Sequence, residues 1–157
     1  MVDVDVKNYV NDPNIELQWA IRSYEHAETH FRLLCSVSDL AGLRLTRMDD
    51  RIYEEFCKVF PDLDVSLLSE DQLKSPESKA LWRDFCNKFS EELEDYNLAT
   101  LFRLDASKAY DEHNTCVGRL FLLNLHSLSV PRIQFLALEI ARNRRGDNKP
   151  EVLRQLQ

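Results

Sequence analysis

The chain has 157 residues, 44% of them hydrophobic and 30% charged, with a formal net charge of −7. That length fits one domain and buries a core without needing a metal or a disulfide. Three glycines leave few positions for positive φ, which excludes hairpin-rich β folds and glycine-rich phosphate loops, and the acidic balance disfavours contact with nucleic acid.

The opening MVDVDVKNYV is acidic and lacks the apolar run of a secretory leader. NDP then starts the first helix, with Asp12 as cap and Pro13 at the first helical position. Leu17, Ile21, Tyr24, Ala27, Phe31 and Leu34 recur every three or four residues, which predicts a core-facing stripe. AGLRL (41–45) reads as a connector. A second helix is expected from Thr46, with Asp49 as a weaker form of the capping box and Met48, Ile52, Phe56, Val59 and Phe60 as its stripe, and Pro61 ends it. DLDVSLL is irregular, and Ser69 with Gln72 forms a capping box for a short turn. Ser75 and Pro76 open a third long helix with Leu81, Phe85, Phe89, Leu93 and Tyr96 inside and Trp82 beside them.

LATLFRLD fits a strand or a helix. A helix is favoured because no second clear strand is present to pair with it. DASKAYDEHN is polar and reads as one helical turn and a loop. The longest apolar run, LFLLNLHSLSV (120–130), is about half the length that spans a bilayer, so no membrane span and a cytoplasmic location are expected. Pro131 opens the last strong helix. Ile133, Leu136, Ala137, Ile140 and Ala141 share one face, and Phe135 and Leu138 widen it until its first turns are buried nearly all round. Residues 149–157 are expected to fray, leaving 1–148 as one domain. The predicted fold class is all-α (mainly α), a single irregular helical bundle of about four to six helices.

No pattern in the chain assembles a catalytic set. His26 and His30 in HAETH have the i, i+4 spacing of a metal pair, but Ala27 stands where the zinc-protease pattern needs Glu and no third ligand is evident. A solvated helix flank is the simpler reading. The Asp-x-Asp of DLD (62–64) would need a large α/β domain around it to serve a sugar nucleotide, and EELED (91–95) reads as a solvated helix face. Cys35, Cys57, Cys86 and Cys116 form no C-x-x-C pair and are expected as buried free thiols in a reducing compartment. P-loop, dinucleotide and G-x-S-x-G signatures are missing, so neither a cofactor nor a metal is expected.

The charge reverses near the end. From Pro131 on, Arg132, Arg142, Arg144, Arg145, Lys149 and Arg154 face only Glu139, Asp147 and Glu151. Arg142, Arg144 and Arg145 precede Gly146, where cations favour the carbonyl end of a helix and glycine supplies the left-handed exit. Helix termination explains their position. Arg142 and Arg145, three apart, also have the spacing of one basic patch, so Arg142, Arg144 and Arg145 are the candidate residues for an acidic partner.

Taken in order, NDPNIELQWAIRSYEHAETHFRLL, LTRMDDRIYEEF, ESKALWRDFCNKF, EDYNLATLFRLD and RIQFLALEIARNRRGDN resemble the polysaccharide biosynthesis domain-containing protein family, over residues 9 to 148. The resemblance implies a mainly α, orthogonal-bundle domain. It also implies a non-enzymatic, ribosome-associated chaperone that shields the nascent GTP-binding domain of translation elongation factor one-alpha. Expected partners are therefore that client and ribosome-associated factors, with the chain itself a monomer. The alternative, suggested by the family name, is an accessory factor or enzyme of polysaccharide synthesis. One departure stands out: the apolar VGRLFLLNLHSL (117–128) separates Asn114 and Thr115 from RIQF, as an insertion in the protein or a retained intron in the gene product.

Overall fold

A computed structural model describes residues 13–96, 98–111, 113–115 and 129–157. These are mostly helical. Helix α1 spans Pro13–Ser36, α2 Asp49–Val59, α3 Glu70–Lys74, α4 Pro76–Asn87, α5 Arg132–Arg145 and α6 Pro150–Leu153, followed by a 3-10 turn over Arg154–Leu156. Strands β1 (Ala99–Leu101) and β2 (Ser129–Pro131) pair antiparallel, with Thr100 opposite Val130. The stretch 117–128 and Cys116 lie outside the described residues.

Several elements follow from local chemistry. Pro13 is the first residue of α1. Ser69 and Gln72 form a full capping box on α3, and Ser75 caps α4 with Pro76 behind it. Gly146, at φ 79°, closes α5 in a Schellman arrangement: its N–H donates to Asn143 O and that of Asp147 to Arg142 O. The second helix begins at Asp49 rather than Thr46. The Asp49 carboxylate accepts from Leu45 N, Thr46 N and Thr46 Oγ1, which satisfies these groups outside the helix and delays its first turn.

Other expectations are corrected. LATLFRLD holds a strand, not a helix. Its partner is the three-residue Ser129–Pro131, too short to stand out in the sequence, and its last residue, a proline, has no N–H to extend the ladder. The third helix stops at Asn87, after which turns still bring Phe89 into the core. On α4 it is Trp82 that is buried, while Leu81 points outward. The end of the chain is ordered where fraying was expected: Pro150 starts α6, Leu153 is fully buried beside Leu34, Cys35 and Leu40, and Arg154 Nε donates to Cys35 O at 2.5 Å. One apolar side chain and one buried carbonyl suffice to anchor a segment that composition alone marks as polar.

Helix α1 also turns differently from its predicted stripe. The buried line is Ala20, Ser23, Ala27, His30 and Leu34, and Leu17, Ile21 and Tyr24 are 53%, 49% and 50% exposed. Small residues let the helix approach β1 and α6 closely, which rotates the larger side chains outward. The main core joins Ile52, Phe56, Trp82, Phe85 and Phe89 to α5, where every residue from Ile133 to Asn143 is buried. Burial all round its first turns is therefore confirmed and runs three turns along.

Candidate functional site

The three arginines at the end of α5 do not form one surface. Arg142 is fully buried. Its Nε donates to Val65 O at 2.7 Å, Nη2 to Leu104 O at 2.9 Å and Nη1 to Glu139 Oε2 at 3.1 Å, and its guanidinium lies 4.5 Å from the Phe102 ring centroid. The proposed Arg142–Arg145 patch is thus corrected. A residue three before Arg145 shares its side of the helix, but at this depth that side faces the segments 63–65 and 102–104 instead of water. Arg144 donates to Asp50 Oδ1 at 2.5 Å, and Asp50 also accepts from Arg44, so two cations hold its carboxyl below the usual range. Arg145 is exposed yet engaged, donating to Tyr53 Oη and Leu63 O, each at 3.2 Å.

Arg142 belongs to a buried charge network that sequence reading missed. Arg103, also fully buried, donates through Nη1 to Ala106 O and Lys108 O and through Nη2 to Asn148 Oδ1 at 2.7 Å and Glu139 Oε1 at 3.3 Å. Asn148 Nδ2 donates to the same Glu139 oxygen at 3.0 Å. Burial alone would raise the Glu139 carboxyl, but Arg103 and Arg142 together hold it down to about 2. Two arginines and one carboxylate leave one positive charge in excess, and four backbone carbonyls absorb it. The loop from Phe102 to Thr115 is fixed in this way against α5, helped by Asn114, whose side chain accepts from Asp105 N and donates to Asp105 O and Ala109 O. LFRLD and EIARNRRGDN, two of the motifs that carry the family resemblance, are the two halves of this network. The available signal was a single charge inside each apolar run: Arg103 in LFRLD and Glu139 in FLALEIA.

His30 lies on the edge of the same cluster and is buried, not on a solvated flank. Its Nδ1 is 2.8 Å from Tyr110 Oη, and its Nε2 is 3.9 Å from Glu139 Oε1. Desolvation pulls it down to about 4, so the ring is neutral at pH 7. His26 and His30 both meet the Phe135 ring edge-on, at 5.2 and 5.1 Å. No group of three or more His, Cys, Asp or Glu side chains is placed to hold a metal among the described residues. Asp64 of DLD accepts from Ser66 N and Oγ, closing its own turn, and Glu92 of EELED pairs with Arg51. Cys35, Cys57 and Cys86 are free thiols, and burial pushes Cys86 up to about 12, which makes it inert.

Accessible features lie elsewhere. A cavity of about 400 Å3 opens between α1, β1 and the start of α5, lined by Trp19, Arg22, His26, Leu98, Ala99 and Arg132 among others, with no carboxylate in its wall among the described residues. A second, also about 400 Å3, lies between α3, α4, β2 and α5. Beside the first, the outward face of α1 carries Leu17, Ile21 and Tyr24, and a further depression continues it past Phe31 to Leu156, which is 48% exposed. No helix among the described residues is long and apolar enough to cross a membrane.

Comparison with known proteins agrees with these motifs. The sequence profile of the PBDC1 protein family matches residues 15–153. The chain is 48% identical over 143 residues to mouse Protein PBDC1, covering 91% of this chain and 66% of that one. It is 45% identical over 148 residues to human Protein PBDC1, covering 94% and 58%. It therefore spans less than two thirds of the length of these two relatives. A Saccharomyces cerevisiae Protein PBDC1 homolog is 42% identical, with 88% of each chain covered. A solution NMR structure of a Saccharomyces cerevisiae protein superposes with a TM-score of 0.73 at 42% identity, over 90% of each chain. The chain that buries Arg103, Glu139 and Arg142 between LFRLD and EIARNR belongs to the PBDC1 family.

Proposed function

We propose that this protein is a non-enzymatic binding protein, a chaperone that shields the nascent GTP-binding domain of translation elongation factor one-alpha at the ribosome. The observation that carries the reading on this chain is the outward face of α1. Leu17, Ile21 and Tyr24 are each about half exposed and stand one turn apart, and the strip runs on to Leu156. An exposed apolar strip of this kind fits the apolar surface of a client that has not yet buried its own core. Arg22 and Arg132 line the neighbouring cavity, while Glu28 and Arg32 pair with each other beside the strip, so the preferred client segment is apolar. In the same reading the helices form one irregular bundle around α5, which leaves one side of α1 for the client. The cluster with the most chemistry, His30, Arg103, Glu139 and Arg142, is closed to solvent and cannot meet a substrate, which supports binding without catalysis.

The experiment is recovery from a cytosolic translating extract. Tagged protein is expected to bring down nascent elongation factor, and the double substitution L17D/I21D to lose it while melting normally. Recovery of glycosyltransferases in place of elongation factor favours the polysaccharide alternative and sinks this one.

A further inference from the structure

The cavity between α3, α4, β2 and α5 has features that client shielding on α1 does not use. Its volume, about 400 Å3, is that of a site for a small ligand or a few side chains. Its floor is apolar: Leu73, Trp82 and Val130 line it and are all buried. One polar group interrupts that floor. Gln134, 3% exposed, lines the cavity, and its Nε2 has no hydrogen-bond partner. A buried amide donor without an acceptor is an uncommon and unfavourable arrangement. Nε2 is shielded from solvent where it stands, and a turn of the Gln134 side chain toward the cavity would let an entering acceptor satisfy it.

The mouth is cationic. Lys79 and Arg83 stand four apart on the exposed flank of α4, one above the other on the same face. Among the described residues neither joins an ion pair. Among the described residues no Asp or Glu lines the cavity, although the chain as a whole carries −7. The three chemistries are stacked: apolar floor, single neutral donor, cationic rim.

We propose that this cavity is a recognition site for a short acidic peptide segment of a partner protein. One apolar side chain of the segment packs on Leu73, Trp82 and Val130. A backbone carbonyl accepts from Gln134 Nε2. Flanking carboxylates pair with Lys79 and Arg83. A bare anion would meet the rim and leave the floor and the amide donor unmatched; a peptide supplies all three groups within a few residues. None of the lining residues belongs to α1, so this site and the α1 face can fail separately.

The test is a titration of the full, isotopically labelled chain with two synthetic peptides, Ac-Asp-Leu-Glu-Asp-NH2 and Ac-Lys-Leu-Lys-Lys-NH2, followed by amide resonances. The acidic peptide is expected to give saturable shifts at the Gln134 side-chain amide and at Lys79, Arg83 and Val130, weakening as salt is raised. K79E/R83E should weaken binding by roughly tenfold or more. Q134M, which keeps the volume and removes the donor, should weaken it less and erase its floor signature. Amide dispersion reports folding of each variant, and K79Q/R83Q replaces the reversal if that unfolds. The proposal is overturned if the cavity resonances do not move, if K79E/R83E binds as well as the parent, or if the basic peptide or inorganic phosphate alone produces the same shifts.

Discussion

Arg142 and Glu139, one turn apart on α5, are 3.1 Å from each other, and neither side chain is exposed. This pair decides how the end of the helix works. Taking charges out of water is costly, and their attraction recovers that cost only when every remaining donor and acceptor is filled. Here Arg103 and Asn148 occupy the other carboxylate oxygen, and backbone carbonyls of Val65 and Leu104 take the remaining Arg142 donors. E139Q is therefore expected to destabilise by about 3–5 kcal/mol, the usual cost of stranding a buried charge. The check is a lower urea midpoint with an unchanged denaturant slope.

Stability should depend on acid in two stages. His30 is pulled from 6.5 to about 4 by desolvation, so between those values the unfolded chain holds a proton that the folded chain does not. Stability from this source is complete above pH 6.5 and is lost as pH falls toward 4, by up to about 3 kcal/mol for a fully buried ring. Glu139 lies below its ordinary value, held at about 2 against burial by Arg103 and Arg142, and its share is lost as pH falls from 4.5 toward 2. H30Q is expected to flatten the upper limb alone. Chemical denaturation from pH 7.5 to 4.5 measures it, and a parent-like slope in H30Q would assign that limb to other groups.

Local chemistry was the legible part of the fold. The caps at Ser69, Ser75 and Gly146 depend on neighbours within four residues, and each is where the sequence puts it. Side-chain direction was less legible. Leu17, Ile21 and Leu81 have the right spacing for a core, but spacing fixes a stripe only to within about one residue's rotation, and partners choose which edge turns inward. Small residues on α1 and the large Trp82 on α4 made that choice. The buried network was the least legible, because Arg103 and Glu139 are 36 residues apart and single charges in apolar runs read as surface interruptions until a partner is seen. The arginines at 142, 144 and 145 look alike in sequence, and only depth separates them.

Gly146 ends α5 at φ 79°, ψ 18°, and a Cβ built there meets nothing within 4 Å. Space is therefore not the reason for glycine; backbone conformation is. G146A is expected to cost roughly 1–2 kcal/mol, the ordinary penalty for an L-residue in the left-handed region. A thermal midpoint lowered by several degrees with an unchanged amide pattern confirms it. A neutral result would mean that the Schellman turn relaxes at no cost.

The three arginines themselves give the sharpest contrast. Arg142 is sealed, Arg144 is spent on Asp50, and Arg145 is exposed while resting on Tyr53 and Leu63. Removing Arg142 leaves Glu139 with one cation and Val65 O without its donor and opens a large cavity, while Leu104 O keeps the Leu68 N–H, so R142A should cost about 3–5 kcal/mol. Removing Arg144 breaks an exposed ion pair that Arg44 partly replaces, so R144A should cost under about 1 kcal/mol. R145A loses hydrogen bonds to Tyr53 Oη, Leu63 O and Cys57 Sγ and packing near Tyr53, also about 1 kcal/mol because the group is exposed. Only Arg144 and Arg145 can then be tested for partner contact with the fold intact. If client recovery from extract drops for R145E beyond what its small stability loss explains, Arg145 touches the partner. If R145E binds normally, the basic end of α5 is structural, with Arg142 as its buried core.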